Sequence, residues 1–123
     1  MVDEMESGIS SFDKTGDGGF SAVIAFDGDF TGFKGHFPGK PVLPGVCQIL
    51  ALSVLAKRAA GCDLRLDEVS RAKFLSVIEP GEEARFEFTL SGSAGAIVLN
   101  GDVRVQGKGV TGKFKLVFGA GNA

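Results

Sequence analysis

Between residues 20 and 26 the larger side chains fall on one parity, with Phe20, Ala22, Ile24 and Phe26 in step, and this predicts a half-buried strand. Further along, Ala84, Phe86, Phe88 and Leu90 alternate with Arg85, Glu87 and Thr89, while Ile97, Leu99, Val103 and Val105 alternate with polar neighbours as far as Arg104. Phe114, Leu116 and Phe118 face one way, with Lys113 and Lys115 facing the other. Residues 69–78 are also β-rich, and turn signals at Pro80-Gly81, at 91–95 and at 107–109 separate these segments. One segment departs from period two. Residues 46–60 have helical composition, with Pro44 and Gly45 at the entry, Lys57 and Arg58 in the last turns and Gly61 as a stop. Between Val46 and Ala56 only Gln48 and Ser53 are polar, so this helix lacks a solvent face and must be covered on nearly all sides.

The remaining stretches read differently. Residues 1–18 are polar and glycine-rich without periodicity, and are expected to form a flexible leader, as 119–123 are a flexible tail. Residues 27–45 hold three of the four prolines and many glycines, which marks a long ordered loop of the kind that carries function. The order of strand, long loop, helix and four strands predicts a single α+β domain over residues 19–118. Its antiparallel sheet curls around one buried helix, and a second subunit covers the helix's remaining side.

Size and composition narrow the function. A chain of 123 residues and 12.8 kDa allows one core, and 44% hydrophobic with 23% charged residues excludes disorder. A net charge of −2 with no basic run speaks against nucleic acid as a partner. With no Trp or Tyr, chemistry that needs a phenol or an indole donor is excluded, and a single His excludes multi-histidine zinc sites. No metal or cofactor is expected. Cys47 and Cys62 flank one helix, which places their Cα atoms about 22 Å apart, beyond the roughly 7 Å a disulfide spans, so both are expected as thiols. The acidic start is unlike a secretory signal, and the longest apolar stretch, 42–56, falls short of the ~20 residues that cross a bilayer. A cytoplasmic protein, off the membrane, is expected.

Several motif matches fail on context. Residues 13–18 open like a calcium loop, but Ile24 stands where the bidentate Glu is required, leaving a flexible turn. Gly107, Gly109 and Gly112 have dinucleotide spacing and residues 107–113 nearly form a P-loop. Phe114 replaces the Mg²⁺-binding hydroxyl there, and a strand follows where a helix is needed, which leaves a hairpin turn. Asp27 and Asp29 read as a solvated turn.

Residues 35–46, Gly-His-Phe-Pro-Gly-Lys-Pro-Val-Leu-Pro-Gly-Val, are more directive. Pro38, Pro41 and Pro44 fix three φ angles around His36, so the loop is built to hold one shape. Gly45 and Val46 bring unpaired N–H groups at the positive end of the helix, a place to hold a carbonyl oxygen as it gains charge. An imidazole beside such a helix start suggests proton abstraction next to a thioester carbonyl; the rival reading is a rigid structural loop.

This run, G-H-F-P-x-x-P-V-x-P-G-V without a gap, resembles the signature of the hotdog-fold β-hydroxyacyl-[acyl-carrier-protein] dehydratases, which remove water from 3-hydroxyacyl thioesters in fatty acid synthesis. The resemblance continues through residues 71–82 and then weakly to Phe118. It implies a hotdog fold, a homodimer or multiple of dimers with two active sites at the interface, and an acyl-carrier-protein or coenzyme A thioester as partner. On it, His36 matches the catalytic histidine that takes the C2 proton, and Gly45 the glycine whose N–H, with that of Val46, holds the carbonyl. Phe37 and Gln48 are possible substrate contacts. The family's Glu or Asp, six residues after the proline of the helix entry and reaching the partner's site, is Leu50 here. Losing such an acid commonly costs about 10²- to 10⁴-fold in rate. Gln48 lies roughly 200° away around the helix and does not simply substitute. The expected function is a dehydratase-like protein acting on acyl thioesters in fatty acid or related lipid synthesis. The alternatives are a non-catalytic acyl-thioester binding or scaffold subunit and an acyl thioesterase.

Overall fold

The period-two segments become strands because each can bury one face against the helix that follows the long loop. In a computed structural model describing residues 1–34, 41–93 and 95–121, the chain order is α1 (Val2–Ser7), β1 (Ile9–Gly16), β2 (Gly19–Ala25), a 3₁₀ turn (Thr31–Phe33), α2 (Gly45–Ala60), β3 (Leu64–Phe74), β4 (Glu83–Ser93), β5 (Ala96–Val105) and β6 (Gly109–Ala120). The strands form one six-stranded antiparallel sheet in the order β1-β2-β4-β5-β6-β3. Cross-strand pairs such as Ala22 with Phe86, Phe86 with Val103 and Leu99 with Leu116 carry the inner face, and all of these side chains are fully buried. Ala51, Leu52, Leu55 and Ala56 of α2 complete the same core. Each fully buried Leu there contributes about 1.5–3 kcal/mol. The expected α+β architecture, an antiparallel sheet around one central helix, is the one observed.

The helix ends as its sequence dictates, with Gly61 in the left-handed region at φ 71° and its N–H donating to the Lys57 carbonyl at 2.9 Å. Cys47 and Cys62 are both free thiols. Among the described residues, no helix is long and apolar enough to cross a membrane.

Residues 1–18 are not a loose leader. Met5 of α1 is fully buried, α1 lies against α2, and β1 pairs with β2. The signal was hidden for two reasons. A six-residue helix is too short to show a period. In β1, a bulge between Ile9 and Ser11 lets Ile9 and Phe12, three residues apart, face the same side opposite Ile24 and Ala22. Asp13 and Lys14, in the calcium-like stretch, lie within β1, and the turn is confined to Asp17 and Gly18. Arg58 of α2 lies over the Phe12 ring, 5.0 Å from its centroid, closing this side of the core.

Other boundaries move for related reasons. β6 runs to Ala120, opposite Leu64, and the Gly121 N–H donates to the Asp63 carbonyl at 3.1 Å, so the supposed tail is strand up to that point. Small residues there leave no side-chain pattern, and the backbone ladder holds the segment. β4 continues through Ser93 into the stretch read as a turn. β3 starts at Leu64 and stops at Phe74 rather than spanning 69–78. It is an edge strand in which only Leu64 is buried, so no alternation guides its limits. In the single chain α2 leaves Val46 70% exposed and Ile49 and Leu50 half-buried, on a helix whose remaining side is expected to need a second subunit.

Candidate active site

The start of α2 is set by the chain that leads into it. The Leu43 N–H donates to the Ile78 carbonyl at 2.8 Å, and Leu43 itself is buried, which anchors the last residues of the long loop. Pro44 then occupies the N-cap in an extended conformation, with no side-chain capping hydrogen bond among the described residues and no acidic residue in the first turn. The Cys47 N–H returns to the Pro44 carbonyl at 2.9 Å. Gly45 and Val46 precede it, where an α-helix provides no internal acceptor for N–H groups, and sixteen residues of aligned peptide dipoles make this end positive. An electron-rich oxygen is what such a place stabilises.

Two aromatic rings and an amide surround it. A Cβ on Gly45 would fall 2.5 Å from Cζ of Phe74, so the ring at the end of β3 rests directly on the glycine backbone. Phe74 meets Phe114 of β6 edge-on at 5.5 Å between centroids and lies opposite Gly112 in register. Gln48, one turn into α2, is 2% exposed. A Cβ on Gly112 would lie 3.2 Å from Oε1 of Gln48, so the amide oxygen faces the β6 backbone where a side chain is missing. Among the described residues this oxygen has no hydrogen-bond donor. A buried acceptor left unpaired costs about 1–3 kcal/mol.

Cys47 sits where a thiolate is disfavoured. It is buried against Gly32, burial pushes its thiol pKa above 9.0, and its S–H donates to the Met1 sulfur at 3.8 Å.

Leu50 points elsewhere. It lines a groove of about 400 Å³ between α1 and α2, shared with Val2, Glu6, Ile9, Lys57 and Arg58. The carboxylates that follow Ile78 are also committed: Lys108 donates to Glu79 at 3.1 Å, to Glu82 at 2.7 Å and to the Val77 carbonyl at 2.9 Å. A depression of about 500 Å³ on the outer side of the sheet, edged by Arg71, Lys113 and Lys115, shares no residue with α2.

Of the residues singled out from sequence, Gly45, Val46 and Gln48 share the first turn of α2, whereas Leu50 lies on another face. His36 and Phe37 lie outside the described residues. Phe74 goes unnoticed in the sequence, and Gly112 reads there only as part of a hairpin turn. The register that joins them to Gly45 and Gln48 is a long-range property, although an aromatic ending a basic segment was visible.

Comparison with known proteins adds independent findings. The family described as ApeI-like, ApeI dehydratase, matches residues 13–109. A 3-hydroxyacyl-[acyl-carrier-protein] dehydratase FabZ of Pelotomaculum thermopropionicum is 31% identical over 96 residues, covering 70% of this chain and 66% of that protein. The FabZ of Ligilactobacillus salivarius is 41% identical over 68 residues, covering 47% of this chain and 46% of the relative, so the chain spans about half the length of that relative. Among solved structures, the dehydratase heterocomplex ApeI:P from Xenorhabdus doucetiae superposes with a TM-score of 0.74 at 19% identity, covering 89% of this chain and 95% of that one.

Proposed function

The chain belongs to the ApeI-like dehydratase family, and on that premise we propose that it dehydrates 3-hydroxyacyl groups carried as thioesters, in fatty acid or related lipid synthesis. The carrier is an acyl-carrier protein, as the names of the FabZ relatives suggest, in preference to coenzyme A. One observation carries this reading. The buried helix begins at Gly45, the glycine of the 35–46 run, with no side-chain cap among the described residues and the Phe74 ring packed on Gly45. In the proposed reaction the Gly45 and Val46 N–H groups hold the thioester carbonyl while His36 takes the C2 proton, and the negative charge moves onto the carbonyl oxygen. When the carbonyl re-forms, the C2–C3 double bond forms and the C3–O bond breaks. The departing hydroxide takes the proton held by His36 and leaves as water. Because Leu50 carries no proton, His36 performs both transfers.

The assembly proposed is a homodimer. Leu66, Val69 and Phe74 of β3, with Leu75, Val77 and Val46, expose apolar surface along one edge of the sheet, beyond what isolated surface residues explain. Two free thiols fit a cytoplasmic setting. Leu50 favours a second reading, a subunit that binds acyl thioesters without dehydrating them.

Hydration of a 2-enoyl thioester, followed as loss of its conjugated absorbance, tests the proposal. Wild-type protein is expected to be active and His36→Ala inactive with unchanged thermal unfolding. An active His36→Ala variant refutes the site. An inert wild type supports the binding reading, and release of free thiol indicates hydrolysis instead.

A further inference from the structure

The first turn of α2 and the β6 backbone enclose a polar atom that the reaction as described does not use. We propose that Gln48 determines substrate specificity, its amide oxygen accepting a hydrogen bond from the 3-hydroxyl group of the acyl chain. This rests on the acyl-thioester reading above and assigns a partner to that site's one unexplained group.

Three observations converge. Gln48 is 2% exposed and its Oε1 has no donor among the described residues, so an apolar side chain of the same size would sit there with less penalty unless something arrives to bond it. The oxygen is fixed in place: it lies against the Gly112 backbone, where a Cβ would fall 3.2 Å from it, and the Phe114 ring, 2.8 Å from the same point, walls that side. Gly112 pairs across the sheet with Phe74, whose ring packs on Gly45, and Gln48 does not line the groove of Leu50. Side chains on a helix lean toward its N-terminus, and residues three apart have Cβ positions about 5–6 Å from each other, so Gln48 belongs to the turn that begins at Gly45.

The chemistry selects the donor. In a 3-hydroxyacyl thioester the hydroxyl-bearing carbon is two bonds from the carbonyl carbon. A carbonyl oxygen on the Gly45 N–H therefore brings the hydroxyl within a helical turn, on the acyl side of the thioester and away from its carrier. A hydroxyl donates one hydrogen bond and keeps two lone pairs. Donating to Gln48 leaves those lone pairs free to receive the proton as the C3–O bond breaks. An amide gives up no proton at neutral pH, so Gln48 orients the leaving group and does not replace the acid absent at position 50.

The test measures binding, apart from turnover, on the full chain in its native assembly. Two pantetheine amides of equal acyl length are compared by calorimetry, one carrying a 3-hydroxyl group and one unsubstituted. Wild type is expected to prefer the hydroxylated ligand by about tenfold, since a site built to bond a hydroxyl discriminates against its absence. Gln48→Leu is expected to bind the unsubstituted ligand as wild type does, to lose the preference, and to unfold at an equal or higher temperature. Gln48→Met serves as a second isostere should Leu fail to fold. A preference that survives in either folded variant overturns the assignment. So does a lowered unfolding temperature with both ligands weakened equally, the signature of a structural hydrogen bond within the assembly. Wild type that binds neither ligand overturns the acyl-thioester reading and this assignment with it.

Discussion

Replacing Leu50 with Glu places a carboxylic acid at the one position where the chain departs from the family pattern, and its consequences are opposed in sign. Leu50 is half-buried, so giving up its apolar contact costs about 1 kcal/mol, half of what full burial of a Leu is worth. Leu and Glu have nearly equal helix propensity, which adds nothing. The groove holds Glu6 as well as Lys57 and Arg58, so a new carboxylate meets both signs of charge. The expected result is a folded protein whose unfolding temperature falls by about 3–6 °C. Restoring a proton donor is worth about 10²- to 10⁴-fold in rate, or about 2.7–5.4 kcal/mol of barrier. Within its own protomer this side chain faces the α1 groove, so the gain acts through the partner subunit's site, where the family pattern places the acid, and enoyl-thioester hydration per folded dimer should rise. The assay pairs thermal unfolding and light scattering with the hydration rate. A variant of unchanged size and near-native stability, with an unchanged rate, refutes the transfer of the acid role to this position. Leu50 would then be a packing residue for α1, whose Val2 shares its groove. A fall of more than about 10 °C refutes the stability estimate, since the groove would then behave as sealed core.

Gly45→Ala drives a Cβ to 2.5 Å from Cζ of Phe74; because that ring is 51% exposed and can swing away, stability should change by less than about 1 kcal/mol in urea unfolding, while hydration falls by at least tenfold. Light scattering should give twice 12.8 kDa for the wild type and 12.8 kDa for Val69→Asp, which puts a charge on the exposed apolar edge; a monomeric wild type refutes the dimer. Lys108→Met should cost about 1 kcal/mol at pH 7 by removing the clamp on Glu79 and Glu82. Burial alone raises the Glu82 pKa, but hydrogen bonds from Lys108 and the Glu79 backbone, with the Lys108 charge, bring it below 4.5. A lowered carboxylate pKa stabilises the fold above its unfolded value, so the wild-type advantage should fade in acid unfolding as pH falls through the ordinary carboxylate range and the lowered Glu82 value. The hydrogen bond to Glu82 leads the rise of the Lys108 pKa above 10.5, so that contribution holds at lower pH and fades only as pH climbs through the raised value.

Side-chain alternation was enough to reveal β2, β4, β5 and β6, because each buries one face and exposes the other. The dense apolar run from Val46 was enough to show a core helix, and Gly61 its end. The same local pattern placed uncapped N–H groups at Gly45, since a helix start is a matter of neighbouring residues. What local sequence could not carry was anything settled by partners distant in the chain. α1 and β1 have too few residues or too irregular a parity to declare themselves, and are ordered by burial of Met5, Ile9 and Phe12 against elements formed later. β3 shows no alternation because, at the edge, ten of its eleven residues are exposed, and its bounds follow from hydrogen bonding to β6. Helical spacing puts Gln48 and Leu50 on different faces of α2 without saying what either face meets. Only the folded sheet turns the first toward Gly112 and the second toward α1. A helix supplies the angle between two side chains, but what each one meets depends on strands more than fifty residues away for Gln48 and on the amino-terminal helix for Leu50.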